Sequence, residues 1–315
     1  MKRAKILLAL SIVVIMLFVS GCTNERSEGS DGSYTWVREG STLEEGGLRF
    51  SVDELSHLVI DTIHNNVRIE THSGNDIIIA YVPASPGGGS FFHHTIRPRY
   101  EFTDGRLEIF RDVRLAPNTF VLGGSINILV PIYDGLLFDG ISITTTNGQV
   151  EMGNFNTNTA TVNTTNGQIV VANISVEDRL ALQTTNGRIA ITDSHVVGYS
   201  SATTTNGTVD VTNLSVEGSL ALQTTNGRIE ITGSHTEGYL SATTTNGNMS
   251  VTNISVEDNL TLQTTNGHIA IADSYVGDTL SATTTNGNIT VTNVDTDIDN
   301  ADLNTSRHHD VIINE

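Results

Sequence analysis

The stretch LALQTTNGRIAI, residues 180–191, determines how this chain folds. Its central Thr-Thr-Asn-Gly occurs eight times, with the asparagine at Asn147, Asn166, Asn186, Asn206, Asn226, Asn246, Asn266 and Asn286. The first interval is nineteen residues and every later interval is twenty. A fixed period of this length is typical of repeat proteins in which each unit packs against its two neighbours.

The residues on both sides of the motif alternate between apolar and polar, as they do in β-strands. In the copy around Asn186, Leu180 and Leu182 precede the motif on one face, and Ile189 and Ile191 follow it. A third apolar residue comes ten positions after the asparagine. Asn-Gly is the pair that most readily accepts positive φ, so we expect a left-handed corner at each copy.

The position four residues before the asparagine alternates in size. It is Leu182, Ala202, Leu222, Ala242, Leu262 and Ala282 in successive copies. One unit cannot bury its own apolar face, so neighbouring units must stack, and large residues over small ones allow the layers to interdigitate. The alternation also indicates a superperiod of forty residues.

Two all-β architectures satisfy this pattern: a β-solenoid with one coil per repeat, and a propeller with forty-residue blades. Forty-residue units would give about four blades, the lower limit for closing a ring. The strict period and the third apolar side favour the solenoid. We predict a single-stranded, right-handed β-helix with twenty-residue coils, whose eight regular coils would extend about 38 Å at ~4.8 Å per coil.

Residues 1–22 have the features of an export signal. Three basic residues precede an apolar run, residues 6–19, that is too short to span a membrane comfortably. The segment ends in Val-Ser-Gly-Cys22, which resembles the bacterial lipobox, whose cysteine is lipidated and becomes the first residue of the mature protein. Because Cys22 is the only cysteine, no internal disulfide can form. We predict a lipid anchor on Cys22 that holds the protein to the bacterial cell membrane, facing outside the cytoplasm; an uncleaved signal anchor is the alternative.

The rest of the chain divides by composition and regularity. Residues 23–47 are polar and rich in Gly, Ser and Glu, so we expect a flexible tether. Residues 48–140 keep a β pattern without the period and are predicted to form irregular coils that cap the stack, since an open β edge invites further pairing. Residues 141–300 hold the eight regular coils, and residues 301–315 break the motif as an atypical C-terminal cap.

Sequence features outside the repeat carry a family resemblance. The run from Ile60 to Glu70 ends in NVRIE, and ILVP (128–131) precedes the first TTNGQVEM. Together with the copies of T-T-N-G-x-I-x-I, this pattern resembles the DUF4097 family of bacterial β-strand-repeat proteins, which are candidate adhesins. The resemblance covers roughly residues 48–300 and implies a β-solenoid at the cell envelope, with no catalytic residues to carry over.

The charge balance excludes two classes of partner. The sequence has 16 Lys plus Arg against 35 Asp plus Glu. Removal of the residues before Cys22 takes away three bases and no acid, which leaves 13 against 35, or −22. Such an acidic surface argues against charge-driven binding of nucleic acid or of anionic lipid headgroups, so we predict no nucleic-acid partner.

Residue types that carry catalysis or bind metals do not converge in this sequence. Glu177, Glu217 and Glu257 recur every forty residues, which places them ~9.6 Å apart, too far to share one tight cation. His195 and His235 occupy equivalent surface positions. No phosphate-binding loop or catalytic-triad motif is present. We predict no catalytic residue, no metal site and no cofactor.

The threonine directly before each repeat asparagine is the most suggestive surface feature. By strand parity these side chains face outward, and they form a candidate ligand surface: Thr146, Thr165, Thr185, Thr205, Thr225, Thr245, Thr265 and Thr285. A purely structural role is the main alternative, because Thr favours strands and pairs well with itself across them. As a binding surface, a flat rank of hydroxyl and methyl groups suits a glycan or another envelope polymer, with ice as a further alternative.

The predicted function is that of a non-enzymatic envelope lipoprotein, an adhesin, scaffold or ligand-binding surface. One alternative is a carbohydrate-active β-helix enzyme with a groove near the irregular N-terminal coils, which converging carboxylates would indicate. Another is an envelope-stress or polymer-forming element, which concentration-dependent filaments would reveal.

Overall fold

A computed structural model describes residues 26–28, 34–36, 41–43, 47–84, 94–95, 97–110, 121–133, 135–296, 301–305 and 310–314. Cys22 and the predicted signal lie outside these residues, so lipidation remains a prediction. The chain forms two compact units, Met1–Arg38 and Glu39–Glu315. None of the described residues belongs to a helix of the length and hydrophobicity that a membrane crossing requires.

Every regular element in the described residues is a β-strand. The first unit contains the antiparallel pair β1 (Arg26–Glu28) and β2 (Tyr34–Trp36). The irregular part of the second unit contains β3 (Ser41–Thr42), β4 (Leu48–Phe50), β5 (His57–Asp61), β6 (Asn66–His72), β7 (Ile77–Val82), β8 (His94–Thr95), β9 (Arg99–Thr103), β10 (Arg106–Phe110), β11 (Val121–Leu122) and β12 (Ser125–Pro131).

The repeat region supplies the remaining strands. They are β13 (Phe138–Thr145), β14 (Val150–Thr164), β15 (Ile169–Gln183), β16 (Ile189–Thr192), β17 (His195–Val196), β18 (Tyr199–Thr203), β19 (Val209–Thr212), β20 (Ser215–Val216), β21 (Leu220–Gln223) and β22 (Ile229–Thr232). They continue with β23 (His235–Thr236), β24 (Leu240–Thr243), β25 (Met249–Thr252), β26 (Ser255–Val256), β27 (Leu260–Thr264), β28 (Ile269–Val276), β29 (Leu280–Thr284), β30 (Ile289–Asp295), β31 (Ala301–Thr305) and β32 (Val311–Asn314).

Strands one repeat apart pair in parallel, in register. Ile189 of β16 lies opposite Val209 of β19, which lies opposite Ile229 of β22, each twenty residues from the next. The same register holds on the two other sides of the coil, where Val196 pairs with Val216 and Ala202 pairs with Leu222. The chain therefore winds around one axis as an all-β solenoid of about eight turns, as the period predicts. The handedness of the winding remains a prediction.

The Asn-Gly corner differs from the sequence expectation. Neither residue of the pair has positive φ in any of the eight copies. The left-handed residue instead comes seven positions after the asparagine, in every coil: Asn154, Asn173, Asp193, Asn213, Gly233, Asn253, Asp273 and Asn293. This column holds only Asn, Asp and Gly, the residues that enter the left-handed region at least cost.

The repeat glycine is required because of a close approach between coils. A Cβ added to Gly187 would lie 1.8 Å from the carbonyl oxygen of Gly167, one coil earlier, and the same clash recurs at each later copy. The preceding Thr184 holds this corner: its Oγ1 accepts a hydrogen bond from the Gly187 N–H at 3.1 Å and donates to the Gly167 carbonyl at 3.0 Å. The first threonine and the glycine of each motif therefore join consecutive coils.

From Leu182 onward, large and small core residues alternate in opposite phase at two positions of the coil. Coils with Leu at the fourth position before the asparagine have Ser eight positions after it, as with Leu222 and Ser234. Coils with Ala four positions before the asparagine have a large residue eight positions after it, as with Ala242 and Ile254. All four side chains are buried, and Ser234 Oγ donates to the Thr232 carbonyl at 3.1 Å, which satisfies its hydroxyl.

The N-terminal coils are not stacked in chain order. β5 lies between β10 and β13, with Leu58 opposite both Leu107 and Ile141. On another side of the coil, β6 lies between β12 and β14. The coil formed by β5 and β6 is therefore inserted between a later segment of the chain and the first regular repeat.

Antiparallel strands flank this N-terminal coil on its outer side. β12 pairs with β7, which pairs in turn with β4. β10 pairs with β9, which pairs in turn with β3. Leu43, just after β3, is fully buried, although it falls within the predicted tether 23–47. The packed structure therefore includes residues ahead of the predicted boundary at Leu48. At the other end, β31 and β32 pair with the last regular coil, and Ile313 is 53% exposed.

Candidate ligand-binding surface

The repeat asparagines form one continuous ladder of side-chain amides. Each Nδ2 donates to the Oδ1 of the asparagine one coil earlier, at 2.6–2.8 Å, from Asn166 through Asn286. The ladder begins at His64, whose Nδ1 lies 2.9 Å from Nδ2 of Asn147. Because these hydrogen bonds run between coils, the amides of the interior coils are satisfied within the protein. Stacked Asn ladders of this kind also stabilise cross-β assemblies.

The predicted threonine surface lies beside this ladder. Thr165, Thr185, Thr205, Thr245, Thr265 and Thr285 are exposed, while Thr146 and Thr225 are half-buried. The backbone of the column is continuous, since the Thr205 N–H donates to the Thr185 carbonyl at 3.1 Å. Within the described structure, none of these eight hydroxyls makes an intramolecular hydrogen bond. The structure thus brings the eight residues together as one column of free hydroxyl groups.

The threonine column is one edge of a larger surface without charges. The outward residues at the fifth, third and first positions before each asparagine carry no ionisable group. We call this surface the Thr–Gln face; it comprises Ser142, Thr144, Thr146, Thr161, Asn163, Thr165, Ala181, Gln183, Thr185, Ser201, Thr203, Thr205, Ala221, Gln223, Thr225, Ser241, Thr243, Thr245, Thr261, Gln263, Thr265, Ser281, Thr283 and Thr285.

Within the regular coils, charged residues lie mainly on the other two sides of the solenoid, while Arg179 lies at the margin of the Thr–Gln face. On the strands that follow the motif, Arg188 pairs with Asp210, and Nη2 of Arg228 lies 3.1 Å from Oε2 of Glu230. On the third side, Nε2 of His195 lies 3.3 Å from Oε1 of Glu217, one coil later. The acidic character of the chain therefore stops at the edges of the Thr–Gln face.

A second candidate site is a polar groove where the irregular region meets the first repeat. Its volume is about 360 Å³, and it is lined by outward residues of β6, β12 and the start of β14. Arg68 lies at its centre, with Nη2 2.5 Å from Oε2 of Glu151 and Nη1 3.7 Å from Oε2 of Glu70. This is the region where an enzymatic alternative would require converging carboxylates.

The two carboxylates of this groove are held by protein groups. Oε2 of Glu151 also accepts a hydrogen bond from Nε of Arg68 at 2.8 Å, and its Oε1 accepts one from Gln149 Nε2 at 2.6 Å. Arg68 thus occupies the space beside both carboxylates, which a glycosidase leaves to the sugar and to water. No group of three metal-ligating side chains occurs among the described residues.

The threonine column follows from the period and from strand parity, but the charge-free surface around it was not predicted. The absence of charge at three positions per coil is visible in the sequence once the residues are aligned by the period. The groove was not predictable in the same way, because Arg68 and Glu151 are 83 residues apart. They become neighbours only because β6 pairs with β14, out of chain order.

Comparisons with known proteins agree with the resemblance noted from the motifs. No curated protein matches the sequence. The crystal structure of a "putative cell adhesion protein" from Clostridium sporogenes is similar over 74% of this chain and 97% of that chain, at 13% identity and a TM-score of 0.22. Residues 55–232 and 200–307 match the family described as Toastrack DUF4097. The chain therefore belongs to the Toastrack DUF4097 family.

Proposed function

We propose that this protein is a non-enzymatic envelope lipoprotein that binds a neutral glycan polymer on the Thr–Gln face. The observation that carries the proposal is the absence of charge from this face in a chain with formal charge −19. Hydroxyl and carboxamide groups both donate and accept hydrogen bonds, as sugar hydroxyls do. Their desolvation on binding costs less than that of charged groups, while the acidic flanks repel polyanions.

The dimensions of the face suit an extended ligand. Eight coils at ~4.8 Å give a strip about 38 Å long, which spans several sugar units. The interior asparagine amides each use one N–H and one oxygen lone pair in their own ladder, whereas the neighbouring threonine hydroxyls make no hydrogen bond in the described structure and are fully available to a ligand. A flat strip of this kind fits an adhesin or scaffold that contacts an envelope polymer along its length.

A glycan array tests the binding role directly. We expect the purified full-length protein, in detergent micelles, to bind neutral polysaccharides, and the variant Thr205→Lys/Thr225→Lys/Thr245→Lys to bind at least about tenfold more weakly. The matched control, Ser175→Lys/Ser215→Lys/Ser255→Lys, adds the same charge on another side of the solenoid. Equal binding by wild type and the face variant would remove the Thr–Gln face from the function.

The membrane anchor is a separate part of the proposal. Its support is the lipobox-like sequence that ends at Cys22, and several acyl chains would hold the protein stably where one would be marginal. We expect the wild-type protein to partition into the detergent phase and the Cys22→Ala variant to partition into the aqueous phase. A Cys22→Ala variant that stays in the detergent phase would indicate an uncleaved signal anchor instead.

The groove around Arg68 supplies the test of the enzymatic alternative. Glu70 and Glu151 both lie within 4 Å of its guanidinium, so the groove contains two carboxylates. If the protein cleaves glycans, new reducing ends should accumulate during incubation and should disappear with Glu151→Gln. On the binding proposal, no reducing ends form with either protein.

A further inference from the structure

Two tyrosines lie two coils apart along one edge of the Thr–Gln face. Tyr199 opens strand β18 and pairs in register with Arg179 of the previous coil. The equivalent residues of the next two coils are Ser219 and Tyr239. Backbone hydrogen bonds continue the pairing: the Ser200 N–H donates to the Ser219 carbonyl at 3.0 Å. The Leu220 N–H donates to the Tyr239 carbonyl, also at 3.0 Å. The two rings are thus separated by two coils, ~9.6 Å.

Small residues lie between and beside these rings. Ser219 lies between the two tyrosines, and glycine precedes each of the three residues in sequence, at Gly198, Gly218 and Gly238. Tyr239 is 43% exposed, and apart from Tyr199 the equivalent residues of the neighbouring coils are Arg179, Ser219 and Asn259. We call Tyr199, Ser219 and Tyr239 the tyrosine edge.

The chemistry of the two phenols suits contact with a neutral ring. The Arg179 guanidinium carbon lies 5.9 Å from the centre of the Tyr199 ring, which supports that ring from the preceding coil. Within the part of the chain that the structure describes, neither phenol hydroxyl has a hydrogen-bond partner. Burial raises the pKa of the Tyr199 phenol, the nearby Tyr239 phenol raises it further, and Arg179 opposes both effects. The phenol is therefore protonated at neutral pH and can donate as well as accept.

Parity places the tyrosines on the same outward surface as the Thr–Gln face. Tyr199, Ser201 and Thr203 alternate along β18 with the buried Ser200 and Ala202. A ligand that lies over the rings along the axis can therefore also contact the next outward column, Ser201, Ala221 and Ser241, two residues farther along the strands. Tyrosine combines a large apolar ring with a polar hydroxyl, a combination common in sites for ligands with apolar and polar faces.

We propose that the tyrosine edge is the anchoring subsite for an extended, β-linked neutral polysaccharide that lies along the solenoid axis. Each sugar ring of such a ribbon-like chain advances by roughly the distance between adjacent strands, ~4.8 Å. One ring then stacks on Tyr199, the next lies over Ser219, and the third stacks on Tyr239. The spacing of the tyrosines thus matches a chain that repeats every two sugars. This inference rests on the proposed function and specifies its ligand class.

Calorimetric titration with chito-oligosaccharides and cello-oligosaccharides of increasing length tests the subsite, again with the full-length protein in micelles. For wild type, we expect affinity to rise steeply up to three sugar units. The variant Tyr199→Ser/Tyr239→Ser places at both sites the residue that Ser219 already provides, so the coils should fold. We expect it to bind the trisaccharide at least about tenfold more weakly.

Two further variants separate ring contact from general effects. Tyr275→Ser removes a tyrosine that is 40% exposed on another side of the solenoid, where the equivalent residues are Ser215 and Ser255, and should bind like wild type. Tyr199→Phe/Tyr239→Phe keeps the rings and removes the hydroxyls, so its affinity should fall between those of wild type and the serine variant. Circular dichroism of each variant checks that the solenoid is intact.

The outcomes distinguish this subsite from the broader proposal. If the serine variant binds like wild type while Thr205→Lys/Thr225→Lys/Thr245→Lys loses binding, the tyrosine edge is wrong and the Thr–Gln face stands. If the serine variant alone loses binding, the tyrosine edge stands and the threonine column has no role. If wild type binds neither these oligosaccharides nor any neutral glycan of the array, both proposals are contradicted.

Discussion

The side-chain amide of Asn186 donates a hydrogen bond of 2.7 Å to Oδ1 of Asn166, the equivalent residue one coil earlier. Asn206 donates in turn to Asn186 at 2.6 Å. Each interior asparagine donates one hydrogen bond and accepts one within the ladder, which fixes neighbouring coils in register and leaves one N–H and one oxygen lone pair of each amide unused. The column of threonines beside it differs, because its hydroxyls make no hydrogen bond in the described structure.

Removal of one asparagine amide should weaken the stack locally. Asn206→Ala breaks the bonds to Asn186 and Asn226, so we expect the free energy of unfolding to fall by about 1–3 kcal/mol, given about 0.5–1.5 kcal/mol per hydrogen bond. The adjacent Thr205→Ala removes a free hydroxyl and should change it by less than about 0.5 kcal/mol. Urea denaturation of both variants measures the difference. Similar losses for the two would contradict a stabilising role of the ladder.

Substitution of a repeat glycine should be far more costly than substitution of the left-handed glycine. A Cβ at Gly207 would lie 1.7 Å from the carbonyl oxygen of Gly187, so we expect Gly207→Ala to destabilise by about 1–3 kcal/mol or more. Gly233 has φ +62°, in a column where Asn213 has φ 52° and Asn253 has φ 54°. Gly233→Asn should therefore leave the melting temperature nearly unchanged. The opposite ranking in thermal denaturation would show that the corner is assigned wrongly.

The opposite alternation of large and small core residues predicts that substitutions at Ala242 and Ile254 are energetically coupled. Ala242→Leu overpacks a coil that already holds Ile254 and should cost about 1–3 kcal/mol. Ile254→Ser leaves a cavity and should cost about 2–5 kcal/mol. The double variant recreates the pair found at Leu222 and Ser234, so its loss should be smaller than the sum by at least about 1 kcal/mol. Additive losses in urea denaturation would mean that coils do not compensate internally.

The regular coils were predictable because their determinants are local. Alternation over a few residues identifies the strands, and the constant period identifies the stacking, so Leu222 and Ile229 could be assigned to the core from sequence. The backbone at the corner was predicted wrongly: Asn-Gly suggested positive φ, whereas Gly187 serves the close approach to Gly167 and Asp193 takes the left-handed conformation. A column restricted to Asn, Asp and Gly was the signal for that position.

The N-terminal coils could not be ordered from sequence. β5 and β6 pair with β10 and β12, which come later in the chain, and also with the first repeat. Such long-range pairing produces no periodic pattern in the sequence. Part of the candidate surface was readable, because the threonine column follows from parity alone. The tyrosine edge was readable in the same way, since Tyr199 and Tyr239 are two periods apart and share the parity of that column.

The phenol of Tyr199 should make stability depend on alkaline pH. Burial holds its pKa above the ordinary value of 10.0 in the folded state, with a further contribution from Tyr239. A group whose folded pKa is raised contributes stability below its unfolded pKa and loses that contribution as pH rises through the folded pKa. We therefore expect the melting temperature of wild type to fall above about pH 10 more than that of Tyr199→Phe. Parallel curves for the two proteins would contradict this assignment.

The most direct test of the central claim, that the charge-free face is the ligand surface, is methyl NMR of the threonines during titration with a chito-oligosaccharide. The solenoid provides an internal control, because Thr203, Thr205 and Thr243 lie on the Thr–Gln face while Thr212 and Thr252 lie on another side. The account predicts shifts confined to the first group. Shifts confined to Thr212 and Thr252, shifts around the Arg68 groove, or no shifts at saturating ligand would contradict it.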